Sequence, residues 1–241
     1  MAYGVRLEVW GDYAAFNRPE MKVERVSYEV MTPSAARGIL EAIYWKPQMR
    51  WVVDCIRVLA PIRFTHIRRN EVDSPIPAGN VEGAIRGSPA PLRMHVEEHR
   101  QQRAAMILRD VRFGIEAHVD VLDPAGSDGL IIAHPEAKHL EAFKRRAARG
   151  QWFHHPYLGC REFPANVRLL ADGEEFAEPP MELNGRRDLG FMLWDVTFVP
   201  DRKGEVVESN SGRRLRAVPR FFRATMDAGR IAVPRLEETR G

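Results

Sequence analysis

Val5, Leu7 and Val9 alternate with Arg6, Glu8 and Trp10, the period of two that a half-buried strand imposes, and Gly11-Asp12 ends the run. Residues 17–30 carry no strong period, and Pro19 marks a loop. A helix is predicted next, with Thr32 as N-cap and Pro33 in its first turn. Ala36, Ile39, Leu40 and Ile43 follow at helical spacing until Pro47 stops the element. Residues 51–59 are rich in β-branched side chains and predict a strand, and Pro61-Ile62 turns it into a second, basic strand over 62–69. Pro75, Pro77, Gly79, Gly83, Gly87, Pro89 and Pro91 then punctuate a stretch that reads as a flexible loop without core. Clean alternation resumes over 106–122, with Val111, Phe113, Ile115, Ala117, Val119 and Val121 on one face, so the loop region is set at about 70–105.

A second helix opens at Pro135, carries Leu140, Phe143 and Ala147 on one face, and closes at Gly150. Residues 160–170 read as a strand, and three more follow over 189–199, 214–225 and 230–233, the last two joined by an Asp227-Ala228-Gly229 turn. The order through residue 170 is strand, helix, strand, strand, helix, strand. It predicts an α+β protein whose residues 1–184 take the split βαβ, ferredoxin-like arrangement also used by RNA-binding RRM modules. Residues 185–241 are expected to form a small antiparallel β-sheet domain. Fold alone does not license function.

Composition narrows the class. With 44% hydrophobic and 29% charged residues, the 241-residue chain can bury a core, so wholesale disorder is excluded. No run of about 18 apolar residues predicts a membrane span, and the first residues lack the basic start and apolar core of a signal peptide. Cys55 and Cys160 are too few to staple a chain of this size, so a reducing cytoplasm is expected, with Cys55 a small core residue.

The net charge, +3, says less than its distribution. The second helix holds Lys138, Lys144, Arg145, Arg146 and Arg149 against Glu136 and Glu141, a surplus equal to that of the whole chain. Arg213, Arg214, Arg216, Arg220 and Arg223 fall within eleven residues without an acid between them. Arg214, Arg216 and Arg220 share strand parity opposite Leu215, Ala217 and Phe221, which predicts a basic stripe above a buried face. Such stripes on a near-neutral chain point to a polyanion, nucleic acid first; solvated faces are the plain alternative.

His134, His154-His155 and Cys160 invite a zinc reading, but no C-x-x-C or H-E-x-x-H spacing supports it, and no glycine-rich nucleotide motif occurs. No metal and no cofactor are therefore expected. Lys138-His139 is more informative. Both fall in the first turns of a helix, whose positive end favours phosphate and keeps an imidazole neutral. Lys138 points about 200° away from Leu140, off the apolar face. A solvated lysine beside a half-buried histidine is the simpler reading of the same pair.

Three segments weigh against the simpler reading. WGDYAAF (10–16), TPSAARGILEAIYWKPQMRWVVDCIRVLAPI (32–62) and EAKHLEAFKRRAARGQWFHHPYLGCREF (136–163) resemble a CRISPR-associated family, the Cas-five proteins of type I-C (Dvulg subtype) systems. The block from Gly38 to Pro47 is the most specific piece, and the match weakens over 70–105 and after 200. The resemblance implies a ferredoxin-like domain of the repeat-associated RNA-binding superfamily and metal-independent cleavage of the precursor CRISPR RNA repeat hairpin. It maps the catalytic tyrosine onto Tyr44 and the Lys-His pair onto Lys138 and His139. It implies as partners the 5′ handle of CRISPR RNA and the backbone and large subunits of a type I-C surveillance complex; duplex DNA stays open as a further partner. RNA contacts are expected from Lys144, Arg145, Arg146, Arg149, Arg214, Arg216 and Arg220. Cleavage by the RNA's own 2′-OH needs a base, an acid and a cation, which His139, Tyr44 and Lys138 supply, with the His and Tyr roles exchangeable. Trp45 is expected in the core, with base stacking as its alternative role. Two other functions stay open: a non-catalytic subunit capping the 5′ handle, and a general duplex-binding protein using the 213–223 stripe.

Overall fold

In the computed structural model, which describes residues 4–21, 23–88, 92–125, 131, 133–208 and 212–241, the elements follow in chain order. They are β1 (Gly4–Ala14), β2 (Arg25–Val26), α1 (Pro33–Ile43), β3 (Met49–Val58), β4 (Phe64–Val72), α2 (Ala78–Ile85), α3 (Val96–His99), β5 (Arg100–Val121), α4 (Pro135–Ala148), β6 (Asn166–Leu169), β7 (Arg186–Pro200), β8 (Val206–Val207), β9 (Arg214–Asp227) and β10 (Arg230–Ala232). The strands join one sheet in the order β6-β1-β5-β3-β10-β9-β7. Both β1 and β3 run antiparallel to β5, and β6 runs antiparallel to β1. It follows that β1 and β3 are parallel with β5 between them, and that β5 and β6 are parallel with β1 between them. The protein is α+β, mostly antiparallel sheet with few helices.

Leu7, Ile115 and Ile56 stand opposite one another across β1, β5 and β3, all without accessible surface. They centre the face on which α1 and α4 lie, burying Ile39, Leu40 and Ile43 from one helix and Leu140 and Phe143 from the other. Thr32 caps α1, its hydroxyl oxygen accepting the Ala35 N–H at 3.3 Å, and Pro33 sits in the first turn.

The opposite face is neutralised within the chain. Glu8, 3% exposed, forms an ion pair with Arg112 at 2.6 Å and accepts from Arg168 at 2.5 Å. Arg57 pairs with Glu116 at 2.6 Å, and Arg50 with Asp120 at 2.7 Å. Phe176 lies over Gly114, where an added Cβ would come within 2.6 Å of its ring.

The structure corrects several expectations. The stretch set as loop over 70–105 holds the end of β4, the short helices α2 and α3, and the start of β5. β4 and β5 pair from Phe64↔Leu108 to Val72↔Arg100; their polar residues on both faces hide the pairing from a hydrophobic pattern. The strand expected over 160–170 shrinks to Asn166–Leu169. Before it, Gly159 takes φ +84°, and its would-be Cβ falls 2.1 Å from the Ala15 carbonyl oxygen, so that residues 158–163 form a turn against the end of β1. The antiparallel strands expected after residue 184 are present, but they continue the same sheet through the pairing of β10 with β3. Ala228 and Gly229, both with positive φ, make the hairpin turn, the pattern of a two-residue primed turn. Cys55 is buried, as expected of a core residue. Among the described residues no helix is long and apolar enough to cross a membrane.

Candidate active site

Residues at the two helix ends converge. α1 stops at Ile43, and Tyr44 turns to extended backbone at φ −155° and ψ 126°. Its N–H still donates to Leu40, and its carbonyl accepts the Trp51 indole N–H at 2.8 Å. That indole packs edge-on against Phe143 of α4 at 4.7 Å, so β3 and α4 together fix where the tyrosine emerges. On α4, His139, Phe143 and Arg146 follow at steps of four and three, one stripe of the helix. His139 is 5% exposed, and its Nδ1 lies 3.0 Å from the Tyr44 hydroxyl.

Burial pushes the His139 imidazole below its ordinary pKa, Lys138 and Lys46 add to the effect, and Glu136 opposes it. Burial pushes the Tyr44 phenol above its ordinary value, against the pull of Arg146 and Arg145. Near neutral pH the pair is therefore an unprotonated imidazole beside a protonated phenol. Lys138 stands exposed beside it, so all three expected residues come together.

The cations divide into two groups. Arg145 on α4 and Arg149 just past its end are exposed, while Lys144 is half-buried and pairs with Asp172 at 3.6 Å. Arg146 is half-buried, and its Nε has neither accessible surface nor a hydrogen-bond partner. Arg214, Arg216 and Arg220 lie on β9, and no described contact joins them to Tyr44 or His139. Arg214 donates to the Gly204 carbonyl, Arg216 pairs with Asp201 at 3.3 Å, and Arg220 donates to the Thr197 hydroxyl. The face expected to be buried beneath them is not: Ala217 is exposed, and Leu215 and Phe221 are half-buried. Phe222, Ala224 and Met226 are buried instead, on the arginines' own parity. This half of the β7–β9 ribbon extends past the helices that would cover it.

Two aromatic positions change the picture. Trp45, expected in the core, is 51% exposed. Phe153, which sequence reasoning missed, is 87% exposed, and its N–H donates to the Ala42 carbonyl at 2.7 Å. The signal for it was the crowding of aromatic and histidine rings over 152–157. Those histidines do not gather with Cys160: His154 stacks on Tyr157 at 5.8 Å, whereas the Cys160 thiol meets Asn17. Among the described residues no three His, Cys, Asp or Glu side chains are grouped as a metal would need.

The model of the CRISPR-associated protein (Cas_Cas5) family matches residues 4–234. A protein of Mannheimia succiniciproducens named CRISPR pre-crRNA endoribonuclease Cas5d is 48% identical over 236 residues, covering 97% of this chain and 96% of its own. One of the same name from Thermus thermophilus is 45% identical over 234 residues, covering 95% and 91%. The solved structure of a CRISPR-associated protein shares the fold, with a TM-score of 0.63 at 22% identity over 98% of this chain and 94% of that one.

Proposed function

Because the chain belongs to the CRISPR-associated Cas_Cas5 family, we propose that it is an endoribonuclease cutting the repeat hairpin of precursor CRISPR RNA, the activity named for its two relatives. The observation that carries this reading is the 3.0 Å pairing of Tyr44, just past the end of α1, with His139 of α4, in the protonation states that the cleavage proposed here uses. The four strands β6-β1-β5-β3 with α1 and α4 correspond to the ferredoxin-like arrangement, antiparallel with its two βαβ units interleaved. The RNA runs over the helix side rather than over the open sheet face of an RRM. The cations of that sheet face are paired to Glu8, Glu116 and Asp120, whereas Lys138 and Arg145 on α4 and Arg149 just past its end are exposed.

The 2′-OH attacks the adjacent phosphorus as the P–O5′ bond breaks, leaving a 2′,3′-cyclic phosphate and a 5′-OH. In the working tautomer His139 donates Nδ1–H to the Tyr44 oxygen, which frees Nε2 to take the 2′-OH proton. The phenol proton then passes to the departing 5′ oxygen. Lys138 offsets the charge that builds on the phosphorane. No step in this scheme draws on a metal ion. After cutting, the protein stays on the 5′ handle as a subunit of a type I-C surveillance complex, beside its backbone and large subunits.

A repeat carrying one 2′-deoxy nucleotide 5′ of the scissile phosphate tests the reaction. It should bind as the parent RNA does, since phosphate contacts dominate affinity, and remain uncut. Cutting of the deoxy substrate at the normal rate would eliminate 2′-OH attack. A His139→Ala protein that binds and cuts like the parent would remove His139 from the chemistry, whereas a parent protein that binds the repeat without cutting it would leave the non-catalytic 5′-handle cap as the better reading.

A further inference from the structure

Two large rings stand in water at the rim of the Tyr44–His139 pair. Trp45 directly follows the tyrosine and is 51% exposed. Phe153 is 87% exposed, and its backbone is tied by a 2.7 Å hydrogen bond to Ala42, two residues before Tyr44. Burying such rings is what normally stabilises a fold, so their exposure here serves something other than the core. Phe153 continues into a short train of rings, packing edge-on against His154 at 6.0 Å, which in turn stacks on Tyr157.

The surroundings identify the kind of ligand. Lys46 is exposed and acts on His139, while Arg145 and Arg146 act on Tyr44. A partner protein seeking an apolar patch would meet this cationic rim at a cost, whereas single-stranded nucleic acid uses both features. Its phosphates take the cations, and its bases stack on the rings. The reaction also demands such help. In a stacked A-form helix the 2′ oxygen lies beside the P–O5′ bond rather than in line with it, so the nucleotides at the cut must be splayed before attack.

We propose that Trp45 and Phe153 form a stacking platform for unpaired nucleobases next to the scissile phosphate, making both rings positioning residues of the site and restricting its substrates to RNA that is unpaired at the cut. The inference rests on the endoribonuclease reading above and adds what selects and orients the substrate there. Stacking holds the splayed bases while the 2′ oxygen swings into line between His139 and the phosphorus. A paired base offers no face to the platform, so a repeat made fully duplex across the cut is a poor substrate.

The test pairs protein variants with abasic RNA. Trp45→Ala and Phe153→Ala should each lose ~5-fold to ~100-fold in affinity for the repeat RNA, the scale of one lost base stack. Trp45→Phe and Phe153→Tyr should retain most of it. Abasic nucleotides placed one at a time along the repeat should reproduce the loss at one or two positions beside the cut. At those positions the alanine variants should suffer no further loss, because the ring and the base are two halves of one contact. Binding is read on the uncleavable 2′-deoxy repeat, so this outcome does not depend on catalysis, and unchanged melting curves show that the variants fold. Penalties that simply add, or alanine variants that bind and cut as the parent does, overturn the platform and leave the endoribonuclease reading intact. Failure of the parent to cut any repeat overturns that reading instead. Alanine variants that only weaken assembly with other subunits would show the rings to be a protein contact and overturn the platform as well.

Discussion

Tyr44→Phe removes one oxygen and leaves everything that positions the ring. The backbone of residue 44 keeps its bonds to Leu40 and Trp51, and the indole keeps its contact with Phe143. What disappears is the 3.0 Å bond to His139 Nδ1. Because His139 is 5% exposed, water replaces the missing partner poorly. The variant should therefore lose about 1–3 kcal/mol of stability, the cost of leaving a buried polar atom unpaired. Its cleavage rate should fall much further, by about 10²–10⁴, the scale of one general acid. At 1.36 kcal/mol per factor of ten that is about 3–5 kcal/mol of barrier. The assay is single-turnover cleavage of end-labelled repeat hairpin with protein in excess, from about pH 5 to about pH 9, spanning the ordinary histidine range. Binding is measured on the 2′-deoxy repeat. In the parent the rate should rise with pH through a midpoint below 6.5, because His139 must lose its proton to act and its pKa lies below that ordinary value. It should then stay level, because the Tyr44 phenol holds its proton to beyond 10.0. A Tyr44→Phe protein that cuts at the parent's rate with unchanged binding would remove Tyr44 from the chemistry. A midpoint above 6.5 in the parent would refute the environment assigned to His139.

Further predictions bear on other parts of the molecule. Cleavage should survive EDTA, since Tyr44, His139 and Lys138 can carry out the proton transfers and charge stabilisation without a metal; loss of cutting with EDTA and its return with Mg²⁺ would count against that assignment. Arg145→Glu with Arg146→Glu should weaken binding across RNA sequences and flatten the log–log salt slope by about one to two; an unchanged slope would take α4 off the RNA path. Gly159→Ala should lower stability by more than about 1 kcal/mol in a denaturant melt, because φ is +84° and the new Cβ would press on the Ala15 carbonyl; a melt like the parent's would mean the turn yields more easily than its packing implies.

Local rules were enough for much of this protein. Alternation marked β1 and the second half of β5, because each buries one face of the sheet against the helices. Thr32, Pro33, Pro135 and Gly150 marked the helix limits, since capping and ring constraints act over a few residues. Lys138 and His139 were visible as neighbours at the start of a helix, but nothing local joined them to a tyrosine 95 positions away; only the family resemblance did. Long-range contacts decided the rest. The β4–β5 pairing escaped notice because both strands are polar on either face. Gly159 is fixed by the carbonyl it touches across the fold, and residues 158–163 form a turn for the same reason, leaving only Asn166–Leu169 as strand. The arginine stripe failed as an amphipathic strand because burial depends on what covers a face, and no helix covers this part of β9. Trp45 and Phe153 look like core residues to any hydrophobicity rule. They meet the solvent because α1 ends before one, and a backbone bond to that same helix end holds the other beside it. Sequence spacing reports the periodic side of each element; which faces remain open depends on how the elements pack in three dimensions, and in this protein the proposed active site lies where two of them meet.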